Sequence, residues 1–282
     1  MPLNATILSV LFSGPAQAII HRHDVDASEF EVSAAEFPAL VDLLSMGDCI
    51  GTLIDPEWLI TATHCAVHLK ADATFEIAGE TIEMANFYLH DDYDNTHHDI
   101  ALVQLAHAVT HVEPIPWYTE KDEAGSLIWF VGRGDSGTGD TGQKEAAVDG
   151  KTRKASNRIE TAEDGLISFI FYGPDDAEVT AFEGISGNGD SGGPALVETD
   201  DGWVIVGISS FQDAAFGKAG QYGVEEFYTR VSDHDDWIAS GMAGDLEAGE
   251  PKGCATANGN FKSPASWALT LGMLALFRRN RP

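Results

Sequence analysis

The sequence predicts an all-β protein closed by a single C-terminal helix, on three observations. Short apolar runs recur from residue 39 to residue 231, each bounded by Gly, Pro, Asp, Asn or Ser. No convincing helical period appears before residue 233. The 282 residues include 29 Gly and 9% aromatic side chains, a composition that suits a strand-rich, loop-rich globular chain. Many short strands at this spacing imply sandwiches or barrels.

Taken in order, the N-terminus reads as an export signal over residues 1–18. Ile7 to Phe12 is a short apolar core and Ala16-Gln17-Ala18 an A-x-A cleavage site. The stretch is too short for a membrane-spanning helix. Cleavage there begins the mature chain at Ile19-Ile20. Strands follow at Ala39–Leu44, Gly51–Ile54, Trp58–Thr61, Thr74–Ile77 and Ile100–Leu105, with Asp55-Pro56 turning the second into the third. A second set comprises Leu127–Val131, Leu166–Ile170, Pro194–Val197, Trp203–Ile208 and Phe227–Val231. The helix is expected over Asp233–Ser240, capped by Ser232 and carrying Trp237-Ile238 on one face.

Beyond it, Gly241–Ser263 reads as a linker. Ala265–Phe277 is a 13-residue apolar run followed by Arg278-Arg279-Asn280-Arg281. The run is short for a stable span, and the arginines would stay cytoplasmic. The segment 264–282 therefore reads as a sorting or anchor signal giving transient membrane association, removed by a sorting protease. A buried terminal helix is the alternative.

The net charge of −29 argues against a nucleic-acid partner, because phosphate binding needs clustered Lys and Arg. It fits a soluble exported protein. Three cysteines are too few for a disulfide-dense scaffold, so their positions carry the information.

The chemistry centres on Gly187-Asn188-Gly189-Asp190-Ser191-Gly192-Gly193-Pro194. Glycines around one Asp-Ser pair permit a sharp bend with φ > 0 and leave N–H groups free to face a developing oxyanion. A Gly-rich turn between strands is the plain alternative. The eight-residue context resembles the active-site segment of the chymotrypsin/trypsin family of serine endopeptidases, in a bacterial secreted form with a sorting tail. The resemblance implies two six-stranded antiparallel β-barrels, residues 37–125 and 126–231, with the site in the cleft between them. It also assigns Ser191 as nucleophile and the N–H groups of Gly189 and Ser191 as oxyanion hole.

Other segments supply the partners that this resemblance requires. Thr61-Ala62-Thr63-His64-Cys65 is similar to the family's T-A-A-H-C pattern and selects His64 as general base. Cys49, 16 residues upstream, matches the family disulfide that pins the histidine loop, which implies a Cys49–Cys65 bond. Asp99-Ile100-Ala101-Leu102-Val103 resembles the D-I-A-L-[VL] pattern of the buried aspartate. The order His64, Asp99, Ser191 is that of the family. A rival reading makes residues 90–99, dense in His and Asp, a metal site, although no H-E-x-x-H or EF-hand spacing is present.

Gly134-Asp135-Ser136-Gly137 repeats G-D-S-G without Gly-Pro or a following apolar strand, and reads as a surface loop. By the same resemblance Ser210 bonds the buried aspartate and Ile185 sits at the floor of the specificity pocket. Glu226 replaces a pocket-wall glycine and Gln212 narrows the entrance. Ile19 would supply the amine that pairs with Asp190. Cys254 is left over, a candidate for modification or processing.

The expected activity is peptide-bond hydrolysis on protein or peptide substrates by a secreted or surface-displayed monomer, with no cofactor and no metal. A catalytically inactive binding module on the same fold is the alternative from a different class.

Overall fold

The structure is a computed structural model that describes residues 19–45, 48–144, 150–215 and 218–250. The expectations for residues 1–18, for Cys254 and for the apolar segment 264–282 lie outside those residues. The chain divides into a large unit, 1–252, and a terminal one, 253–282. The large unit holds all the strands and helices of the described residues.

Its N-terminal half is one six-stranded sheet. Leu40–Ser45, Asp48–Asp55, Trp58–Thr61, Ala101–Leu105, Glu80–Leu89 and Thr74–Ile77 pair in that spatial order. The outermost strands, Leu40–Ser45 and Thr74–Ile77, approach each other and curl the sheet into a barrel. The core on its two faces includes Leu53, Leu59, Ile60, Phe75, Ile82, Leu102 and Val103, all almost fully buried.

The C-terminal half is an eight-stranded sheet ordered Thr161–Glu163, Leu166–Ile170, Glu225–Arg230, Gly202–Asp213, Pro194–Thr199, Leu127–Gly132, Thr152–Arg158 and Glu31–Val32. Six of these strands make the second barrel. Thr161–Glu163 and Glu31–Val32 extend it at the edges. Asn157 Nδ2 donates to the Ile170 carbonyl at 3.0 Å and helps close it. The core here is aromatic: Phe130 stacks on Phe169 at 5.8 Å, and Tyr228 packs against both. Burying each such ring contributes on the order of 2 kcal/mol.

A small third sheet joins Gly142–Lys144, Ser136–Thr138, Ile19–His21 and Gly184–Ile185. Here the structure corrects the reading of residues 134–142 as a surface loop. Ser136–Thr138 runs parallel to Ile19–His21, and Ser136 is buried.

Of the strands that escaped the sequence reading, two are long. Glu80–Leu89 buries Ile82, Met84, Phe87 and Tyr88, but a bulge between Met84 and Asn86 breaks its alternation. Thr152–Arg158 is almost wholly polar in sequence, yet it pairs with Leu127–Gly132 along its length. Its Arg153 is fully buried beside Glu31, 3.3 Å away.

The helix spans Asp235–Ala243, not Asp233–Ser240, and His234 occupies its N-cap position. Ser232 is not the cap: it lies in the 3-10 turn Val231–Asp233 and its hydroxyl donates to Glu123. Ile238 is fully buried against the first barrel's core. The first part of the expected linker is docked, since the Gly249 N–H donates to the Phe87 carbonyl at 2.7 Å.

Candidate active site

The strand Trp58–Thr61 ends in a single helical turn, Thr63–Ala66, that carries His64. Two threonines anchor that junction. Thr61 Oγ1 donates to the Ile50 carbonyl at 2.8 Å and Thr63 Oγ1 to the Ile100 carbonyl at 2.6 Å. The Cys49–Cys65 disulfide ties the same turn to the strand Asp48–Asp55.

Asp99 is buried and holds His64 twice. Its Oδ1 accepts the His64 backbone N–H at 2.9 Å, and its Oδ2 lies 2.6 Å from His64 Nδ1. The same Oδ2 accepts the Ser210 hydroxyl at 2.6 Å, and the Asp99 carbonyl accepts from Thr229 Oγ1 at 3.0 Å. Burial works to raise this carboxyl, but the bonds and charge of His64, with the Ser210 bond, outweigh it and hold it below its usual range.

The Ser191 carbonyl accepts the N–H of Ile50, the residue after the disulfide-bonded Cys49, at 2.8 Å. The turn around it depends on glycine. Gly192 has φ +76°, and a Cβ there would meet Thr61 Oγ1 at 2.2 Å. Gly189 has φ +95°. Among the described residues, the N–H groups of Gly189 and Ser191 donate to no backbone carbonyl.

Ser191 lines a cavity of about 330 Å³ with Ser186, Ser209, Ser210, Gln212 and Glu226. Ile185, expected at the floor, is instead fully buried in the second core and paired with Ile20. Ser186, one residue on, takes its place in the wall. Its N–H donates to Glu226 Oε2 at 2.9 Å, its hydroxyl donates to Oε1, and Ser209 Oγ lies 3.1 Å from that hydroxyl. Burial pushes the Glu226 carboxyl up to about 8 against these opposing bonds. Gln212 Nε2 donates to the Ser186 carbonyl at 2.8 Å, which fixes the side chain expected at the entrance.

Asp190 points away from the cavity. Its carboxylate accepts the N–H of Gly134 at 2.7 Å and of Gly187 at 2.9 Å, with further bonds from the N–H groups of Arg133 and Ile19. Burial raises it to about 6 despite these donors. Ile19 itself is fully buried with φ +64°. The twenty-residue segment up to Pro38 is therefore long enough to bring Ile19 to Asp190.

Of the run 90–99, His90 and His98 come together in a possible metal-holding group, and they do so with His234. His97 pairs instead with Asp94, on the surface. Nothing local in the sequence marks His234 as their neighbour, since it follows His98 by 136 residues. Burial and the neighbouring imidazoles hold His90 at about 4, and burial lowers His234. A second group, Cys49, His64 and Cys65, offers no metal site because both sulfurs are in the disulfide.

A model of the trypsin family matches residues 28–238. Among curated proteins the chain is 29% identical over 229 residues to serine protease SP24D of Anopheles gambiae, covering 74% of this chain and 78% of that protein. It is 29% identical over 250 residues to transmembrane protease serine 11C of Mus musculus, covering 79% of this chain and 55% of that protein. It is 26% identical over 215 residues to ovochymase of Halocynthia roretzi, 67% of this chain and 13% of that protein. These relatives are animal proteins and lend the expected bacterial source no support. No helix among the described residues is long and apolar enough to cross a membrane.

Proposed function

The chain belongs to the trypsin family and is a serine endopeptidase, and on that premise we propose that it hydrolyses peptide bonds through a His64–Asp99–Ser191 triad. The single observation that supports this most is the 2.6 Å approach of His64 Nδ1 to a buried Asp99, beside a cavity that Ser191 lines.

A serine hydroxyl is a weak nucleophile at its own pKa and needs an adjacent base. His64 Nε2 takes the Ser191 proton as Oγ attacks the scissile carbonyl, and later returns it to the leaving amine. Asp99 fixes the tautomer with the proton on Nδ1 and stabilises the imidazolium, without accepting that proton. The Gly189 and Ser191 N–H groups receive the oxyanion; one such donor is worth about 3 kcal/mol. Water then attacks the acyl-enzyme by the reverse proton path.

The pocket beneath Ser191 selects the side chain preceding the scissile bond. Glu226, with Ser186, Ser209 and Gln212, makes it polar and gives it a carboxyl able to hold a basic or hydrogen-bonding group. Export, with removal of residues 1–18, leaves the Ile19 amine beside Asp190, where it supplies the buried carboxylate with a cation. Loss of the segment 264–282 from the exported enzyme belongs to the same reading, and intact mass of the native protein tests it.

Labelling with a phosphonofluoridate tests the assignment. One covalent adduct, mapped to Ser191, is expected. No adduct on folded protein would mean an inactive binding module, and an adduct on another serine a different nucleophile.

A further inference from the structure

We propose that His90, His98 and His234 form a binding site for a borderline divalent transition-metal ion, Zn²⁺ foremost, separate from the catalytic groups. One ring nitrogen from each lies within 4.8 Å of the others. His98 Nδ1 is 3.0 Å from His234 Nε2, and His90 stacks on His98 with ring centroids 4.6 Å apart. Three imidazoles in a tetrahedron open at its fourth corner are a common zinc ligand set.

The tautomer of His234 favours this use. Its Nδ1 lies 2.8 Å from the Arg230 carbonyl, which only accepts, so Nδ1 carries the proton and Nε2 presents its lone pair to the cluster. That carbonyl contact is the outer support typical of metal-bound histidines. Trp237 packs 5.1 Å from the His90 ring and walls one side. Among the described residues, no carboxylate hydrogen-bonds any of the three rings; the Asp92 backbone N–H donates to His90 Nδ1 at 3.3 Å, a long bond that an ion on that nitrogen would replace. Acidic neighbours supply the field instead: Asp91 and Asp92 follow His90, Asp233 precedes His234, and the chain as a whole carries −29.

His234 is buried, whereas His90 and His98 are half-exposed, which leaves a route for the ion from solvent. One adjustment is required. The planes of His90 and His98 are 11° apart, so one ring must turn before both lone pairs converge. His90, just past the end of the strand Glu80–Leu89, is the ring that can. His98 is already held in an unusual backbone state, φ +58°, next to Asp99. An ion here fastens the loop 90–98 to the start of the terminal helix.

The site stands whether or not the proposed triad is correct, and the test separates the two. Zn²⁺ is titrated by calorimetry into the full chain carrying Ser191→Ala, which prevents self-digestion. One equivalent is expected to bind, with Tm raised by about 5 °C at a hundredfold excess over Kd. Adding His98→Asn, which tolerates φ > 0, or His90→Ala should weaken binding roughly tenfold or more. His64→Ala should leave it unchanged. Co²⁺ should give the visible absorption of a tetrahedral site in the parent and lose it in His98→Asn. His234→Ala removes a buried ring, so the two half-exposed positions carry the test. No saturable binding, or binding that survives both His98→Asn and His90→Ala, would overturn the proposal. Loss in His64→Ala alone would overturn it equally.

Discussion

Glu226 accepts two hydrogen bonds from Ser186, one from the N–H at 2.9 Å and one from the hydroxyl. Burial nonetheless pushes its carboxyl up to about 8, so the base of the cavity is neutral in mild acid and anionic in alkali. Cleavage after Lys or Arg, relative to cleavage after a neutral residue, should therefore rise as pH passes through about 8. Glu226→Gln should flatten that ratio. A pH-independent ratio of kcat/KM values in the parent enzyme would show that Glu226 does not face the substrate.

The same carboxyl makes stability depend on pH. In the chain with residues 1–18 attached, where Ile19 offers Asp190 only a backbone N–H, Glu226 and Asp190, raised to about 8 and about 6, bind their protons more tightly folded than unfolded. Each thus costs stability as pH rises from the ordinary carboxylate range through its folded value. Asp99, held low, acts oppositely: its contribution is present above the usual carboxylate pKa and lost on acidification. Thermal unfolding of Ser191→Ala protein from mild acid up to about pH 8 should show Tm falling, and Glu226→Gln should remove most of that slope.

Ser191→Ala deletes one hydroxyl at the cavity wall. Peptidase activity should fall by roughly 10⁴-fold or more, with stability changed by no more than about 0.5 kcal/mol. Retention of activity within tenfold of the parent would exclude Ser191 as nucleophile.

The contact of Ile19 with Asp190 predicts how the enzyme is switched on. A mature form beginning at Ile19 should be active, and one extended by a single Met before Ile19 much less so. In the former, activity should decline in alkali with an apparent pKa above the ~8 of a free α-amine, because loss of the ammonium leaves Asp190 without its cation. Equal specific activities in a peptide assay would dissociate the amine from Asp190.

Cys49 and Cys65, 16 positions apart, close a short loop, and replacing both with Ala should lower stability by about 3 kcal/mol. The bond also couples the His64 turn to the strand whose Ile50 N–H holds the Ser191 carbonyl. Activity of the double variant should fall even at temperatures where circular dichroism shows it folded.

The sequence by itself determined the parts whose chemistry is written in contiguous residues. Through their resemblance to the trypsin family, the Gly-rich turn proposes Ser191, the segments around His64 and Asp99 propose its partners, and Cys49 with Cys65 is implied as the disulfide that the structure holds. Strand patterning was enough for an all-β class. Tertiary structure decided everything that depends on which distant side chains meet. Thr152–Arg158 is a strand because neighbours pair with it, not because its polar residues favour one. The bulge at Met84–Asn86 hid the longest strand of the first barrel from any period-2 test. Ser136 is buried because Ile19–His21 lies beside it. The pocket wall is Ser186 rather than Ile185 because Ile185 pairs with Ile20 and turns inward, a one-residue choice of face. His234 joins His90 and His98 only because the terminal helix starts against that loop. Local chemistry is legible along the chain; proximity across it is set by packing and register.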